Sequence, residues 1–196
     1  MNTRQSRIIL ASSSPYRKEL LNRILDDFEV LSPEIDETPF PDEEPIELVA
    51  RLAQQKALAV AVNHPDALVI GSDQVCVLNN QILGKPGTID KAIEQLKACS
   101  GQTVTFYTSL CVTSARETAQ NTTVVATKVR FRQLSDKEII NYLEKEQPLD
   151  CAGSFKCEGL GIVLFEAIES KDPTALIGLP LIALVNRLRE FGVELI

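Results

Sequence analysis

Two charged side chains interrupt apolar patterns in this sequence and could take part in chemistry. Asp73 follows the apolar run 67–70, so it comes at the end of a predicted buried strand. A carboxylate at that place can bind a divalent cation or take a proton from water, although a simple turn aspartate explains it as well. Lys56 lies in the apolar stripe of a predicted helix. Its ammonium must meet a negative group or reach water, and the second is the simpler interpretation for Lys56 alone.

A run of three serines marks a second position with chemical potential. Ser12, Ser13 and Ser14 come where a predicted strand passes into a helix that starts at Pro15. The serine hydroxyls and the unpaired N–H groups of a first helical turn can hold an anion such as phosphate. Arg17 follows one helical step later and would add a positive charge. An ordinary helix cap beside a surface arginine explains the same residues equally well.

Two further charges complete the set of candidates. Glu37 lies in the acidic, proline-rich segment 32–47, and Lys85 is held between Gly84 and Pro86. Loop carboxylates are usually only solvated, so Glu37 alone carries little weight. Taken together, three cations, two carboxylates and a helix start suggest metal-assisted cleavage of a phosphate anhydride, because that leaving group needs positive charge from metal, lysine and arginine.

Composition restricts the class of protein. The chain has 196 residues, 44% of them hydrophobic and 24% charged, with a formal net charge of −7, which is typical of a globular protein and excludes disorder and fibre. The negative charge argues against a general binder of nucleic acid or of anionic membranes. The longest apolar stretch, 175–185, contains Gly178 and Pro180 and is shorter than the roughly 20 residues of a spanning helix. No signal peptide is evident, and five cysteines without a C-x-x-C pair predict reduced thiols and a cytoplasmic protein.

Several familiar signatures are absent from the sequence. A phosphate-binding P-loop needs glycine where Asn79 stands, and the glycines of segment 159–161 lack the third glycine of a dinucleotide fingerprint. His64 is the single histidine, which argues against a hydrolase triad and a multi-histidine metal site.

The secondary-structure pattern predicts an α/β fold with a mixed sheet and a single domain over residues 1–196. Apolar alternation and turn signals predict strands at 7–12, 67–70, 75–78, 81–83, 103–113, 122–132 and 159–165. Capping residues and apolar periodicity predict helices at 15–25, 45–63, 89–99, 135–146 and 178–191.

Six short motifs, taken in order, resemble those of the Maf family of nucleotide pyrophosphatases over about residues 7–190. The motifs are ILASSSPYRKELL at 9–21, DET at 36–38, AxxKA at 53–57, GSDQ at 71–74, GKP at 84–86 and AGSF at 152–155. The resemblance implies hydrolysis of a nucleoside triphosphate between its α and β phosphates with Mg²⁺ or Mn²⁺. It also implies an elongated, two-lobed fold similar to inosine triphosphatase, with the site in a cleft between the lobes.

The same resemblance assigns roles to individual residues. Asp73 corresponds to the proton acceptor for the attacking water, and Glu37 and Asp73 correspond to the metal ligands. The implied phosphate contacts are Ser12, Arg17, Lys56 and Lys85.

Three positions bear on which base is bound. Tyr16, Gln74 and Glu158 stand where members acting on thymidine and uridine triphosphates typically carry arginine, threonine and glutamine. The set resembles a subfamily that acts on 7-methyl-GTP, with tryptophan replaced here by tyrosine. Methylation at N7 makes guanine cationic, so an aromatic face attracts it, and a carboxylate can accept from the N1–H and the exocyclic amine of guanine.

Other functions remain open at this stage. The protein could hydrolyse UTP, CTP, dTTP or a modified pyrimidine nucleotide, or it could be a nucleotide-binding regulator of septum formation. Lys128, Arg130 and Arg132 alternate along one strand and could contact nucleic acid, but three charges are few and a solvated sheet face explains them better. The favoured partner is a small nucleotide, removed in a house-cleaning reaction, with no membrane or nucleic-acid polymer. A homodimer is the assembly left open.

Overall fold

The computed structural model describes residues 7–115 and 122–196. The strands in these residues are β1 (Arg7–Ala11), β2 (Glu29–Leu31), β3 (Ala67–Leu78), β4 (Gln81–Leu83), β5 (Thr103–Thr113), β6 (Thr122–Phe131) and β7 (Phe165–Ser170). The α-helices are α1 (Pro15–Leu21), α2 (Pro45–Ala61), α3 (Ile89–Cys99), α4 (Asp136–Glu146) and α5 (Leu181–Glu190). Short 3-10 helices cover Ala152–Ser154, Leu160–Leu164 and Ala175–Ile177.

The strands form a mixed sheet in the order β2-β1-β3-β5-β6-β7, with β4 paired to β3. β1 runs parallel to β2 and β3, whereas β4 is antiparallel to β3 and β7 is antiparallel to β6. The prediction of an α/β fold with a mixed sheet is therefore confirmed. The prediction of one domain over 1–196 stays a prediction.

The chain divides into two compact units. Unit 1 comprises Met1–Gln74, Thr108–Val125 and Asp172–Ile196, and unit 2 comprises Val75–Tyr107 and Ala126–Lys171. β3, β5 and β6 each continue from one unit into the other.

Unit 1 has apolar layers on both faces of its part of the sheet. Ile8 and Leu10 of β1 pack with leucines of α1 and α5, whereas Ile9 and Ala11 pack with alanines of α2. This division follows from the two-residue period of a strand, which points successive side chains to opposite faces. The side chains on both faces of β1 are buried, and this fixes the register of β1 against β3. A shift by one residue would move each side chain to the opposite face of the sheet.

Helix α2 lies unusually close to strand β3 at Gly71. A Cβ atom built on Gly71 would lie 2.2 Å from the carbonyl oxygen of Ala53 and 2.8 Å from the amide nitrogen of Ala57. No real side chain tolerates such distances from a backbone, so glycine is required for this close approach. The contact places the face of α2 that bears Lys56 beside the centre of β3.

Unit 2 is built around four phenylalanine rings. Phe155 makes edge-to-face contacts with Phe106, Phe131 and Phe165 at centroid distances of 4.8–5.5 Å, and the last two rings also touch each other. Such contacts add to the free energy of area burial. Phe155 belongs to the AGSF motif, so this motif contributes directly to the core of unit 2.

The structure corrects the predicted strands in two places. Segments 67–70 and 75–78 are not separate, because β3 runs without a break through Gly71, Ser72 and Asp73. Asp73 therefore lies within a strand and not at its end. The predicted strand 159–165 is wrong, since residues 160–164 form a 3-10 helix and the strand begins at Phe165. The short strand β2 was not predicted from the sequence.

Two helix ends differ from the prediction by more than two residues. α1 stops at Leu21 instead of residue 25, although turns continue as far as Leu25. α5 begins at Leu181 and not at 178, because Pro180 precedes it and the buried Asp172 carboxylate accepts hydrogen bonds from the amides of Ile182 and Ala183. That carboxylate satisfies N–H groups that lack partners within a helix.

The described residues contain no helix long and apolar enough to cross a membrane. No disulfide joins any of the five cysteines, all of which lie within the described residues. Burial raises the pKa of the Cys99 thiol to about 12 and raises that of Cys76 well above its usual range, so neither is reactive near neutral pH.

Candidate functional site

The centre of the candidate site in unit 1 is a lysine held between two carboxylates. The Nζ atom of Lys56 lies 2.6 Å from Oδ1 of Asp73 and 2.8 Å from Oε1 of Glu37. The side chains of Lys56 and Asp73 are only 8% and 9% exposed, whereas that of Glu37 is 58% exposed. The interpretation that Lys56 simply extends to water is therefore wrong, because its charge is matched by an adjacent carboxylate inside the protein.

Asp73 is fixed in place by its neighbour on β5. The Ser109 hydroxyl accepts a hydrogen bond from the backbone amide of Asp73 at 3.2 Å, and donates one to the carbonyl of Val49 on α2 at 2.6 Å. Ser109 is fully buried. It thus joins β3, β5 and α2 at the level of the carboxylate, and this restraint limits how far Asp73 can move.

The loop that carries Glu37 is held by Arg51 of α2. The Arg51 guanidinium donates to both carboxylate oxygens of Glu43, at 2.6 and 2.7 Å, and to the carbonyl of Thr38 at 3.1 Å. It also lies 4.0 Å from the centre of the Phe40 ring. Hydrogen bonding from Arg51 lowers the pKa of Glu43 and keeps it ionised. Arg51 therefore orders the segment next to Glu37.

Arg17 and Ser12 come together after β1. The Nη1 atom of Arg17 lies 3.5 Å from Oγ of the buried Ser12, and its Nε donates to the carbonyl of Gly178 at 2.8 Å. Burial lowers the pKa of the Arg17 guanidinium, and the nearby charges of Asp73 and Glu37 act in the opposite direction. Arg17 thus lies within the electrostatic field of the carboxylate pair.

The backbone around the three serines is partly capped by their own side chains. Ser14 accepts from the amide of Arg17 at 3.4 Å, and Ser12 accepts from the amide of Ser14 at 3.1 Å. Ser13 is exposed, and Tyr16 is half-buried in the first turn of α1. The interpretation of Ser14 as the helix cap is confirmed.

Gln74 has a fixed amide orientation. Its Nε2 atom donates to Oγ1 of Thr108 at 2.9 Å and to the carbonyls of Ala175 and Leu176 at 2.9 and 3.1 Å. Because the donor end of the amide is engaged by the protein, the oxygen Oε1 points the other way. Gln74 can therefore present Oε1 to a ligand as a hydrogen-bond acceptor.

The other two sequence candidates belong to unit 2. Lys85 is exposed just after β4, where Gly84 accepts a hydrogen bond from Gln95. Glu158 is exposed in segment 156–160, and its Oε2 atom lies 3.3 Å from the Cys157 sulphur. Burial and the Glu158 charge together raise the pKa of Cys157 to about 12.

The basic stripe, which comprises Lys128 and Arg130 of β6 and Arg132 directly after it, is also part of unit 2. Lys128, Arg130 and Arg132 are exposed, and Arg130 pairs with Glu166 of β7 at 3.1 Å. This local neutralisation is typical of a solvated sheet face.

Glu37 and Asp73 have the chemistry to bind a divalent cation whose remaining ligands would come from a substrate. Both carboxylates contact the same lysine atom, so they line the same part of the site. In the described part of the chain, no group of three or more histidine, cysteine, aspartate and glutamate side chains could hold a metal. Mg²⁺ is commonly bound by one or two carboxylates together with substrate phosphates, and this donor set matches that pattern.

Sequence reasoning missed the residues that hold the candidates in place. Ser109, Thr108 and Arg51 have no motif around them that distinguishes them from other strand or helix residues. A weak signal existed only for Arg51, which lies eight positions after Glu43 and could be expected to pair with the acidic segment.

Comparison with known proteins gives consistent matches. The family described as Maf-like protein matches residues 7–191. A 7-methyl-GTP pyrophosphatase of Aliivibrio fischeri is 53% identical over 98% of the chain and 100% of its own length. A 7-methyl-GTP pyrophosphatase of Nitrosococcus oceani is 55% identical over 94% of the chain and 93% of its own length. Among solved structures, the Ham1 protein of Staphylococcus aureus aligns with a TM-score of 0.48 and 16% identity, over 65% of the chain and 72% of its own length.

Proposed function

The chain belongs to the Maf family, and we propose that it is a nucleotide pyrophosphatase that hydrolyses 7-methyl-GTP to 7-methyl-GMP and diphosphate. The observation that carries this proposal is the identity of 53–55% to proteins named 7-methyl-GTP pyrophosphatase over nearly the whole chain. The charged cluster around Lys56 supports the same chemistry independently.

Asp73 is the proposed proton acceptor. A water molecule adds across the anhydride between the α and β phosphates, the bond to the diphosphate leaving group breaks, and the water proton passes to the Asp73 carboxylate. The contact with Lys56 at 2.6 Å supports this role by holding the carboxylate beside a cation that is available to the phosphates of the substrate. The bond to Ser109 keeps its backbone in place.

The phosphates of the nucleotide are the proposed partners of Ser12, Arg17, Lys56 and Lys85. A protein with a net charge of −7 must concentrate positive charge locally to hold a polyanion, and Arg17 and Lys56 do so beside Asp73. Glu37 and Asp73 would hold Mg²⁺ or Mn²⁺, which neutralises charge on the phosphate oxygens. Lys56 contacts both carboxylates, and we assign its ammonium to the phosphates of the same substrate.

Base recognition is assigned to Tyr16, Gln74 and Glu158. Gln74 offers its Oε1 atom and Glu158 offers its carboxylate, and both are acceptors. The Watson–Crick edge of guanine carries the donors N1–H and the exocyclic amine, and an acceptor is the group that can recognise either of them. Tyr16 supplies an aromatic face for the cationic methylated ring.

We place this activity in the cytoplasm as a house-cleaning reaction against modified nucleotides. The five free thiols agree with a reducing compartment. Small nucleotides are the proposed partners, and a homodimer stays a prediction.

A substrate panel tests the proposal. Purified protein with Mg²⁺ or Mn²⁺ is given 7-methyl-GTP, GTP, UTP and dTTP separately, and kcat/KM is measured for each. We expect 7-methyl-GTP to be the best substrate. A pyrimidine nucleotide as best substrate would refute the base assignment, and no hydrolysis with either metal would favour a nucleotide-binding regulator.

A further inference from the structure

Two side chains of α4 hold both ends of the segment that carries Glu158. The hydroxyl of Tyr142 accepts a hydrogen bond from the backbone amide of Lys156 at 3.1 Å. The Oε2 atom of Glu146 accepts one from the backbone amide of Leu160 at 2.6 Å. Tyr142 and Glu146 are four residues apart, so they lie on the same face of the helix.

The segment between these two bonds is closed on itself. The amides of Gly159 and Gly161 both donate to the carbonyl of Lys156, at 3.3 and 3.0 Å. A Cβ atom on Gly161 would lie 2.4 Å from that carbonyl oxygen, so only glycine permits this turn. Segment 156–160 is therefore a compact turn and not an open loop.

Glu146 packs directly against the turn. A Cβ atom on Gly159 would lie 2.6 Å from Oε1 of Glu146, and the same oxygen lies 4.0 Å from Nζ of Lys156. The Glu146 side chain is only 16% exposed, and Tyr142 is 3% exposed. Burial raises the pKa of the Tyr142 hydroxyl above its ordinary value of 10, so it remains protonated.

Glu158 lies between the two fixed points and is exposed. A long carboxylate on a free loop would lose side-chain and backbone entropy on binding a ligand, whereas a turn fixed at both ends has already lost most of it. The helix itself does not depend on these bonds at its start, because α4 has a capping box of Ser135 and Glu138.

We propose that Tyr142 and Glu146 are positioning residues that hold Glu158 for recognition of the base. The inference rests on the proposed function, in which Glu158 accepts hydrogen bonds from guanine. Neither residue touches the nucleotide. Their effect is on selectivity for 7-methyl-GTP and not on the hydrolytic step.

The test compares Tyr142→Phe, Glu146→Ala and Glu146→Gln with Glu144→Gln as the matched control. Glu144 is exposed on the same helix. We expect Tyr142→Phe and Glu146→Ala to raise KM for 7-methyl-GTP by about 3- to 10-fold, the usual effect of losing one hydrogen bond. Their kcat, and their kcat/KM for UTP, should stay within about twofold of wild type. Glu146→Gln keeps an acceptor for the Leu160 amide and should restore most of the affinity lost in Glu146→Ala.

A double-mutant cycle separates this role from a merely structural one. If both residues act through Glu158, then Tyr142→Phe and Glu146→Ala have no further effect on KM in a Glu158→Ala background. Full additivity of the effects, or an equal loss for UTP, would overturn the inference.

Failure of the proposed function itself is recognised separately. If wild-type protein prefers another nucleotide or cleaves none, the proposed function fails whatever the variants do. In that case, equilibrium binding of 7-methyl-GMP still tests the coupling to Glu158, and absence of coupling in binding overturns the inference as well.

Discussion

The Nζ atom of Lys56 lies 2.6 Å from Oδ1 of Asp73, and both side chains are buried between α2 and β3. Breaking such a pair leaves one charge without compensation in a poorly solvated place, so each partner depends on the other. The pair owes its position to Gly71, two residues before Asp73, where the helix backbone meets the strand backbone. The packing of an apolar core and the placement of two charged groups are thus one structural feature.

Removal of Lys56 and removal of the Glu37 charge should differ in their effect on stability. Lys56→Met should reduce the free energy of unfolding by about 3–5 kcal/mol, because it leaves the Asp73 charge buried and unpaired. Glu37→Gln should cost no more than about 1 kcal/mol, since Glu37 is mostly exposed. Urea unfolding monitored by circular dichroism measures both. Equal losses for the two variants would contradict the assigned burial.

Glu37 is also expected to matter for metal binding. Glu37→Gln should raise the Mg²⁺ concentration that gives half-maximal activity, with a smaller effect on the rate at saturating Mg²⁺. The measurement is a metal titration of 7-methyl-GTP hydrolysis. An unchanged Mg²⁺ requirement would remove Glu37 from the proposed metal site.

The close contact at Gly71 is open to a direct test. Gly71→Ala should destabilise the protein by about 1–3 kcal/mol, because the added methyl group would meet the backbone of α2. Gly84→Ala is the control for unfolding, since among the described residues no heavy atom lies within 4 Å of a Cβ at that position. If the two variants unfolded at the same urea concentration, the packing of α2 on β3 would be wrong.

The bond between Arg51 and Glu43 predicts a dependence of stability on pH. Arg51 lowers the pKa of Glu43 below its ordinary value of 4.5, so this interaction stabilises the fold above that value and is lost as pH falls through the lower folded pKa. Wild type should therefore exceed Glu43→Gln in stability at neutral pH, and the difference should shrink as the pH falls below 4.5. The measurement is the urea unfolding midpoint of wild type and of Glu43→Gln at several pH values from neutral downwards. A difference that stays constant would show that the Glu43 charge does not contribute.

The aromatic side chain at position 16 should govern preference for the methylated base. Tyr16→Ala should raise KM for 7-methyl-GTP by about 2- to 30-fold, the range of one cation–π contact, with less effect on GTP. Tyr16→Trp should lower KM, because tryptophan is the stronger partner for a cation. Steady-state kinetics with both nucleotides measures the ratio. An equal change for GTP and 7-methyl-GTP would refute a cation–π contribution.

Local signals in the sequence were sufficient to predict several helices and strands. The helices predicted at 89–99 and 135–146 are α3 and α4, and their caps Thr88 and Ser135 act within one helical turn. The strand predicted at 81–83 is β4, which forms a hairpin with β3 through a turn at Asn79 and Asn80. Each depends only on residues close in sequence.

Structural features that depend on contacts between residues distant in sequence could not be predicted from local signals. Ser72 and Asp73 are typical of a turn, yet they continue β3 because Ser109 of β5 satisfies the backbone of Asp73. The start of α5 depends on the carboxylate of Asp172, ten residues before Ile182. The approach of Lys56 to Asp73 needs the packing of α2 on β3, for which Gly71 alone gives no clear sequence signal.

Identification of the reaction products tests the central claim most directly. Wild-type protein is incubated with 7-methyl-GTP and Mg²⁺, and the products are separated and identified beside those of Asp73→Asn. We expect wild type to release 7-methyl-GMP and diphosphate in equal amounts. Asp73→Asn should release almost none under conditions in which circular dichroism shows that this variant is folded. Release of 7-methyl-GDP and phosphate, or undiminished activity in Asp73→Asn, would contradict the proposed chemistry.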